Sequence, residues 1–376
     1  MVIGGGIGGL AAAIGLRRAG VEARVFERAP ALGEVGAGLS LWPNGLRALD
    51  AVAGLGDEVR ARSVRDGSGA LRSWKGRELV AANGEELERL LGDVTLIIHR
   101  ADLLALLRRQ LPDDAVVTGA ECIGFEEKGG EVAARFAGGT EVGGDVLIGA
   151  DGIHSAVRAQ LFGSSPPAYA GYTAWRSVLA FDHTRLAPGI SIGRGCQFGQ
   201  VPMANGQVYW FATENRPAGQ GAPPGGWRGA LLELFARWHP PIPELIAATP
   251  EAAILHNDIV DRPPQGRWGE GRVTLLGDAA HPMTPDLGQG ANQALEDAQA
   301  LAAAVGPDLV AALRAYESVR IPRASAIVRG SRRVGRIMQL DSRLACWARD
   351  SLLSTRAATR MQLRQLQKLV APGAPV

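Results

Sequence analysis

The sequence predicts an α/β fold, with a mostly parallel sheet flanked by helices, an inserted second sheet and a helical C-terminal end. Three observations carry that prediction. The chain opens on an apolar strand, a glycine-rich turn, a helix and a second strand ending in an acid. Two later stretches, 139–163 and 275–299, again run from apolar strand through glycine and acid to helix. Between them, β-branched and aromatic runs are separated by Gly, Asn and Pro, a pattern of antiparallel strands and turns.

Composition sets the outer limits. A chain of 376 residues, 46% hydrophobic and 21% charged, can build roughly two or three domains around a sizeable core. A formal net charge of +2 gives no argument for nucleic acid, and none is expected as a partner. Cys122, Cys196 and Cys346 are too few and too far apart for a disulfide framework, so they read as small buried hydrophobes in a reducing, cytoplasmic protein. The six histidines show no ligand spacing, and no metal is expected. No apolar run reaches the roughly 18–20 residues of a membrane span. The opening MVIGGG lacks the basic region of a signal peptide.

In order along the chain, Val2-Ile3 is a strand stub and Gly4–Gly9 the turn; LAAAIGLRRAG (10–20) is an amphipathic helix and EARVFER (22–28) the second strand. The stub is shorter than the usual ~5–6 residues, which reads as a first strand begun at an internal methionine or trimmed. Gly4, Gly6 and Gly9 form GxGxxG, and Glu27 follows the last glycine by 18 residues, near the ~20 expected of a dinucleotide site. Gly4 permits the tight turn, Gly6 lets a pyrophosphate approach the backbone, and Gly9 lets helix and sheet pack closely. Ile7 and Gly8 lie between them. The helix N-terminus offers unpaired N–H groups to phosphate, while Glu27, followed by Arg28, accepts from ribose hydroxyls.

Next, Gly36 and Gly38 flank a backbone able to approach a flat ligand, and Pro43-Asn44 open an amphipathic helix. A strand ends at Arg100, with Asp102 capping the helix after it. In GADGIHSAVR, Asp151 follows a strand and precedes a helix. Runs at 170–181, 196–203 and 207–214 are strands, and WRGALLELFARWHPPI (227–242) is one helix stopped by Pro240. In LLGDAAHPMTPDLGQGAN, Asp278 ends a buried strand and Gly288-Gln289-Gly290 open a helix through Ala291 and Asn292. A helix N-terminus carries about half a positive charge, which suits a ligand ring that gains negative charge, and the glycines leave backbone N–H groups uncovered. The arginine-rich helices from about 309 onward read as a solvated face rather than a membrane contact.

Three glycine-acid elements in this order, with AGYTAWR, VYWFA and YESVRIPRA, resemble the class A FAD-dependent aromatic hydroxylases over essentially the whole chain. The resemblance implies a Rossmann-like FAD-binding domain of the GR2 type in two parts, 1–165 and 266–308. A β-sheet substrate domain at 166–265 would be inserted between them, and C-terminal helices would fill 309–376. It also implies a monomer or homodimer. Asp278 then binds the ribityl chain of FAD, and Pro285 lies beside the flavin edge where oxygen reacts. Gly288, Gly290, Ala291 and Asn292 point at the pyrimidine end of the ring. Arg100 matches an arginine near the FAD phosphates, although a surface arginine at a strand end would look the same. Asp151 and Arg158 match an element implicated in FAD and NADPH contacts, and Asp151 can serve equally as a helix N-cap. With no second GxGxxG segment, NADPH or NADH is expected to bind a groove, not a domain of its own.

The implied chemistry is oxygen transfer from a flavin hydroperoxide to a small aromatic ring, with O2 and NAD(P)H consumed. On strand 207–214, alternation sets Tyr209 and Phe211 against Val208 and Trp210. Similar urate hydroxylases place a substrate tyrosine at the position of Tyr209 and a substrate arginine at that of Gln197. Gln197, Tyr209 and Phe211 are therefore expected to face the flavin, although a core tyrosine is an equal reading of Tyr209. Glutamine in place of arginine argues against urate. Leu39, Ser40 and Trp42 stand where salicylate- and nicotinate-type relatives carry a histidine, so no catalytic base is named. Epoxidation of a polyene or isoprenoid, hydroxylation of a quinone-type ring and a non-catalytic flavin protein stay open as alternatives.

Overall fold

In a computed structural model of the chain, residues 1–33, 37–65, 70–80 and 84–371 are described; Gly36 lies outside them. Five short strands make the first sheet, in the order Val273–Leu275, Leu147–Gly149, Val2–Ile3, Val25–Phe26, Val116–Val117. All four pairings are parallel. The sheet therefore has one carboxyl edge, and the three glycine-acid elements all leave from it. Strand Val273–Leu275 returns to this sheet after the inserted block, so the unit built on the sheet is discontinuous in sequence.

The turn after the first strand is tighter than GGGIGG suggested, because the helix already starts at Ile7 and runs to Arg18. Gly4 has φ +110°, and a Cβ there would meet the Ala150 carbonyl oxygen at 2.3 Å. A Cβ on Gly9 would come within 2.0 Å of the Gly4 oxygen. Only glycine at both places lets the helix descend onto the sheet. Helix Gly290–Ala304 packs across helix Ile7–Arg18, and together they bury Leu10, Ile14, Leu295 and Leu301 in the main core.

The second sheet has seven strands and places Ala168–Ala180 between Leu255–Asp261 and Gln207–Asn215. It also takes two strands, Leu71–Ser73 and Glu78–Val80, from the segment assigned to the first part of the nucleotide domain. One of its faces carries Trp175, Phe198, Val208, Trp210 and Ala212, which are sealed under Trp227, Leu231, Phe235 and Leu245. Those last four lie on two helices, Gly226–Phe235 and Ile242–Ala248; the first, expected to run until Pro240 stops it, already ends at Phe235. The prolines at 240 and 241 lack the N–H groups a continuous helix would need. Another correction concerns the helix Arg100–Arg108. Its N-cap is His99, whose Nδ1 accepts from the Ala101 N–H at 3.3 Å, and Asp102 lies in the first turn.

The chain closes with helices Leu309–Met338, Arg343–Leu353 and Arg356–Val370. Among the described residues no helix is long and apolar enough to cross a membrane.

Candidate active site

The parallel sheet brings the glycine-acid elements together at one edge. Glu27 follows strand Val25–Phe26; its Oε2 accepts from Gly5 N–H at 2.6 Å and its Oε1 from Ala29 N–H at 2.9 Å. These bonds lock the carboxylate beside the turn and leave lone pairs for ligand hydroxyls. A Cβ on Gly6 would meet nothing within 4 Å, so open space lies over the turn where a pyrophosphate would approach. Arg28 and Arg100 are exposed, and among the described residues neither side chain is tied into an ion pair.

The second element uses its acid as a backbone anchor. Asp151 Oδ2 accepts from Ala156 N–H at 2.8 Å, and Ser155 caps the same helix at 2.9 Å through Arg158 N–H. Asp151 Oδ1 is buried and has no hydrogen-bond partner among the described residues. Burial raises the carboxyl above its usual value, with Ser155 and nearby backbone N–H groups opposing the rise. Buried Arg158 reaches across to the carbonyl of Ala279 at 3.3 Å, which joins the second element to the third.

In the third element, Asp278 sits on the turn Gly277–Ala279. Protein crowds its carboxyl and pushes it upward, opposed by His281 and Arg100, although the side chain is exposed to the crevice. A Cβ on Gly290 would lie 4.0 Å from Asp278 Oδ1, so the acid and the N-terminus of helix Gly290–Ala304 share one place. The N–H groups of Gly290, Ala291 and Asn292 donate to no protein acceptor among the described residues, as expected of a first helical turn. Exposed Pro285 opens a 3₁₀ turn, Pro285–Leu287, and Gly288 follows in the left-handed region at φ +60°.

The side chain of Asn292 does something the sequence reading missed. It is fully buried, donates to the Ser40 and Gly288 carbonyls (3.0 and 2.9 Å) and accepts from Trp42 N–H (2.9 Å). Its contribution to a ligand is therefore its backbone N–H, while its amide ties strand Gly38–Leu41 to the helix.

Behind this turn stands a buried ion network. Asp297 Oδ2 accepts from Gly277 N–H at 3.0 Å and lies 2.6 Å from His281 Nε2, while Asp297 Oδ1 accepts from Arg320 Nε at 2.7 Å. Glu296 is held by Arg320 and Arg323, each at 2.6 Å. Burial alone would raise the Asp297 carboxyl; His281 and Arg320 overcome it and bring it down to about 2. The sequence showed no sign of this network, because Arg320 and Arg323 lie in the arginine-rich helices that read as a solvated face.

The second sheet turns its other face to the crevice. Gln197, Gly199 and Val201 pair with Thr213, Phe211 and Tyr209, and Arg176 and Val178 lie opposite Phe211 and Tyr209 on the next strand. Residues directly opposite share a face. All of these are thus on the side away from the core that buries Val208 and Trp210. Tyr209 packs on Gly38, where a Cβ would meet the ring at 2.5 Å, and its ring centroid is 6.1 Å from that of Phe211. Burial pushes the Tyr209 hydroxyl up to about 12, with Arg176 opposing. Gln197 is buried. Tyr172 on the same face donates to Asp286 Oδ2 at 2.7 Å, which links the sheet to the turn after Pro285.

Partnerless first-turn N–H groups, an unpaired buried carboxylate oxygen, open space over Gly6 and an acid at two strand ends fit a dinucleotide carrying a flat ring. Comparison with known proteins agrees. The FAD binding domain family matches residues 1–331. Aurachin C monooxygenase/isomerase of Stigmatella aurantiaca is 42% identical over 98% of this chain and 97% of its own length. The 3-amino-4-hydroxybenzoate 2-monooxygenase of Streptomyces cremeus is 38% identical over 93% and 90%. The crystal structure of Klebsiella pneumoniae HpxO complexed with FAD and uric acid superposes with a TM-score of 0.92 at 32% identity, covering 100% of this chain and 97% of that one. The fold and site thus define an FAD-binding flavoprotein. The chain belongs to the class A FAD-dependent monooxygenase family.

Proposed function

We propose that the protein consumes NADPH or NADH and transfers one oxygen atom of O2 to a small aromatic ring. The observation that carries this reading is the aromatic face of the substrate sheet. Tyr209 and Phe211 stand beside Gly38 and the crevice, whereas the opposite face is closed under helices. Bound FAD would supply redox exchange with the nicotinamide and activation of oxygen. Glu27 and Asp278 would hold the ribose and ribityl hydroxyls, and the turn from Gly4 through Gly9 the pyrophosphate. The N–H groups of Gly290, Ala291 and Asn292 would stabilise negative charge on the ring at no cost in reorganisation. Pro285 would border the reacting edge. The Tyr209 hydroxyl, which meets no protein partner among the described residues, would orient the substrate beside Gln197 and Phe211.

The test is purified protein screened with ring compounds, 3-amino-4-hydroxybenzoate and urate among them. It is expected to be yellow and to release all flavin into the supernatant on acid precipitation. It should oxidise NADPH or NADH faster when an accepted compound is present, and Gln197 predicts that urate is not one. A yellow protein that no ring compound stimulates would be a flavin carrier and would overturn the proposal. Once a substrate is found, Tyr209→Phe and Gln197→Ala should lower the ratio of hydroxylated product to NAD(P)H consumed, with flavin content kept. If both leave that ratio and KM unchanged, the substrate does not lie on this face.

A further inference from the structure

Helix Arg343–Leu353 turns apolar side chains outward. Leu344 is 74% exposed, Trp347 68% and Leu352 63%. With exposed Ala348 and Ser351 they occupy positions i, i+3, i+4, i+7 and i+8, a single helical face. The other face is firmly docked. Arg349 and Cys346 are buried, and Arg349 donates to the carbonyls of Gly193 (2.9 Å) and Met338 (3.0 Å). The outward stripe therefore belongs to a helix already held in place, facing the direction that an ordinary amphipathic helix gives to polar groups.

Helix Arg356–Val370 follows and complements it. Arg356, Arg360, Arg364 and Lys368 recur at every fourth residue, all exposed, with Met361 among them at 57% exposure. None of the four cations has an ion-pair or hydrogen-bond partner among the described residues. From Arg343 to Val370 the sole acid is Asp350, and Arg349 holds it at 2.9 Å. The C-terminal end of this helix is anchored, since Leu369 and Val370 are buried and the Leu369 carbonyl accepts from Arg323 at 2.8 Å.

We propose that these two helices dock on an anionic lipid surface, Leu344, Trp347 and Leu352 entering the headgroup boundary and the four cations meeting lipid phosphates. Charge selects this occupant. A second copy of the chain would set one row of unpaired cations against another or leave both rows unneutralised, whereas an anionic bilayer neutralises them all. Tryptophan and basic residues beside an apolar helical stripe are the composition of an interfacial helix. The contact is peripheral.

The test is co-sedimentation of the flavin-loaded full chain with vesicles of phosphatidylcholine alone or mixed with phosphatidylglycerol. Binding is expected to the mixed vesicles only, and to fall as salt screens the cations. Arg360→Gln with Arg364→Gln should weaken partitioning about twenty- to thirtyfold, roughly fivefold per cation. Leu344→Ser with Trp347→Ser should also release the protein. Both double variants should keep wild-type flavin content and melting temperature, because all four side chains are exposed. Wild-type protein that stays in the supernatant with mixed vesicles, or binds both kinds equally, overturns the proposal. So does sedimentation velocity showing a dimer that Leu344→Ser with Trp347→Ser dissociates, without vesicle binding; the face would then join two copies.

Discussion

Asp278 and Glu27 are the same kind of residue in two settings. Glu27 is pinned by two backbone N–H groups, whereas Asp278 has its carboxylate exposed to the crevice beside Gly290. Removing Asp278 should therefore cost ligand binding and little folding stability. A hydrogen bond to a charged acceptor contributes roughly 1.5–3 kcal/mol, so Asp278→Ala is expected to weaken FAD binding about ten- to a hundredfold. Fluorescence titration of the apoprotein measures it; an unchanged Kd together with an unchanged melting temperature would remove Asp278 from the site. Both acids were legible in the sequence because each ends an apolar strand. Asp151 was also readable as the cap of the helix after it, but the N-cap is Ser155; Asp151 instead accepts from the Ala156 N–H, and residue order does not show that its Oδ1 is left without a partner among the described residues.

At the scale of elements, the helix Gly290–Ala304 joins three parts of the site. Its N-terminus meets Asp278, its Asn292 amide holds strand Gly38–Leu41, and its Asp297 accepts from the Gly277 N–H of the turn beside Asp278. Asn292→Ala would leave the Trp42 N–H and the Ser40 and Gly288 carbonyls without their partner in a buried place. With about 1–3 kcal/mol for each group left unsatisfied and partial relaxation, a loss of about 3 kcal/mol in urea unfolding is expected. FAD affinity should fall too, since Gly38 loses its tether. A loss below about 0.5 kcal/mol would show that the amide carries no structural load. The sequence offered the backbone N–H groups at the start of this helix to a ligand and said nothing of the Asn292 amide. Periodicity says where a side chain points; it does not say what the side chain meets.

For the molecule as a whole, the buried network around Asp297 is the joint between nucleotide domain and C-terminal helices, because Arg320 and Arg323 come from helix Leu309–Met338. The Asp297 carboxyl is held at about 2, below its usual 3.8. The unfolded chain thus binds more protons at this residue than the folded one, and its contribution is present above about pH 4 and lost as pH falls toward 2. Asp297→Asn leaves Arg320 with one buried acid fewer, and about 3–5 kcal/mol of stability is expected to go at neutral pH. The gap between variant and wild type should close on acidification toward pH 2. Urea unfolding at a series of pH values measures it, and a gap independent of pH would mean that packing and not charge is lost.

The sequence by itself determined the parallel nucleotide sheet, its three glycine-acid crossings, the inserted sheet and which face of strand Gln207–Asn215 carries Tyr209 and Phe211. These are local: they follow from residue type and from the periods of 2 and 3.6 along one segment. Tertiary structure alone decided that Leu71–Ser73 and Glu78–Val80 join the distant second sheet. It also decided that the crevice lies on the Tyr209 side, because both faces of that strand are apolar and only the helices packed on Trp210 distinguish them. The apolar stripe of helix Arg343–Leu353 makes the same point from the opposite direction. Its spacing would place Leu344, Trp347 and Leu352 in a core, and they are outside because burying Arg349 against the carbonyls of Gly193 and Met338 sets the rotation of the helix. A helical period shows that a face exists, and only the neighbours present in three dimensions settle what it faces.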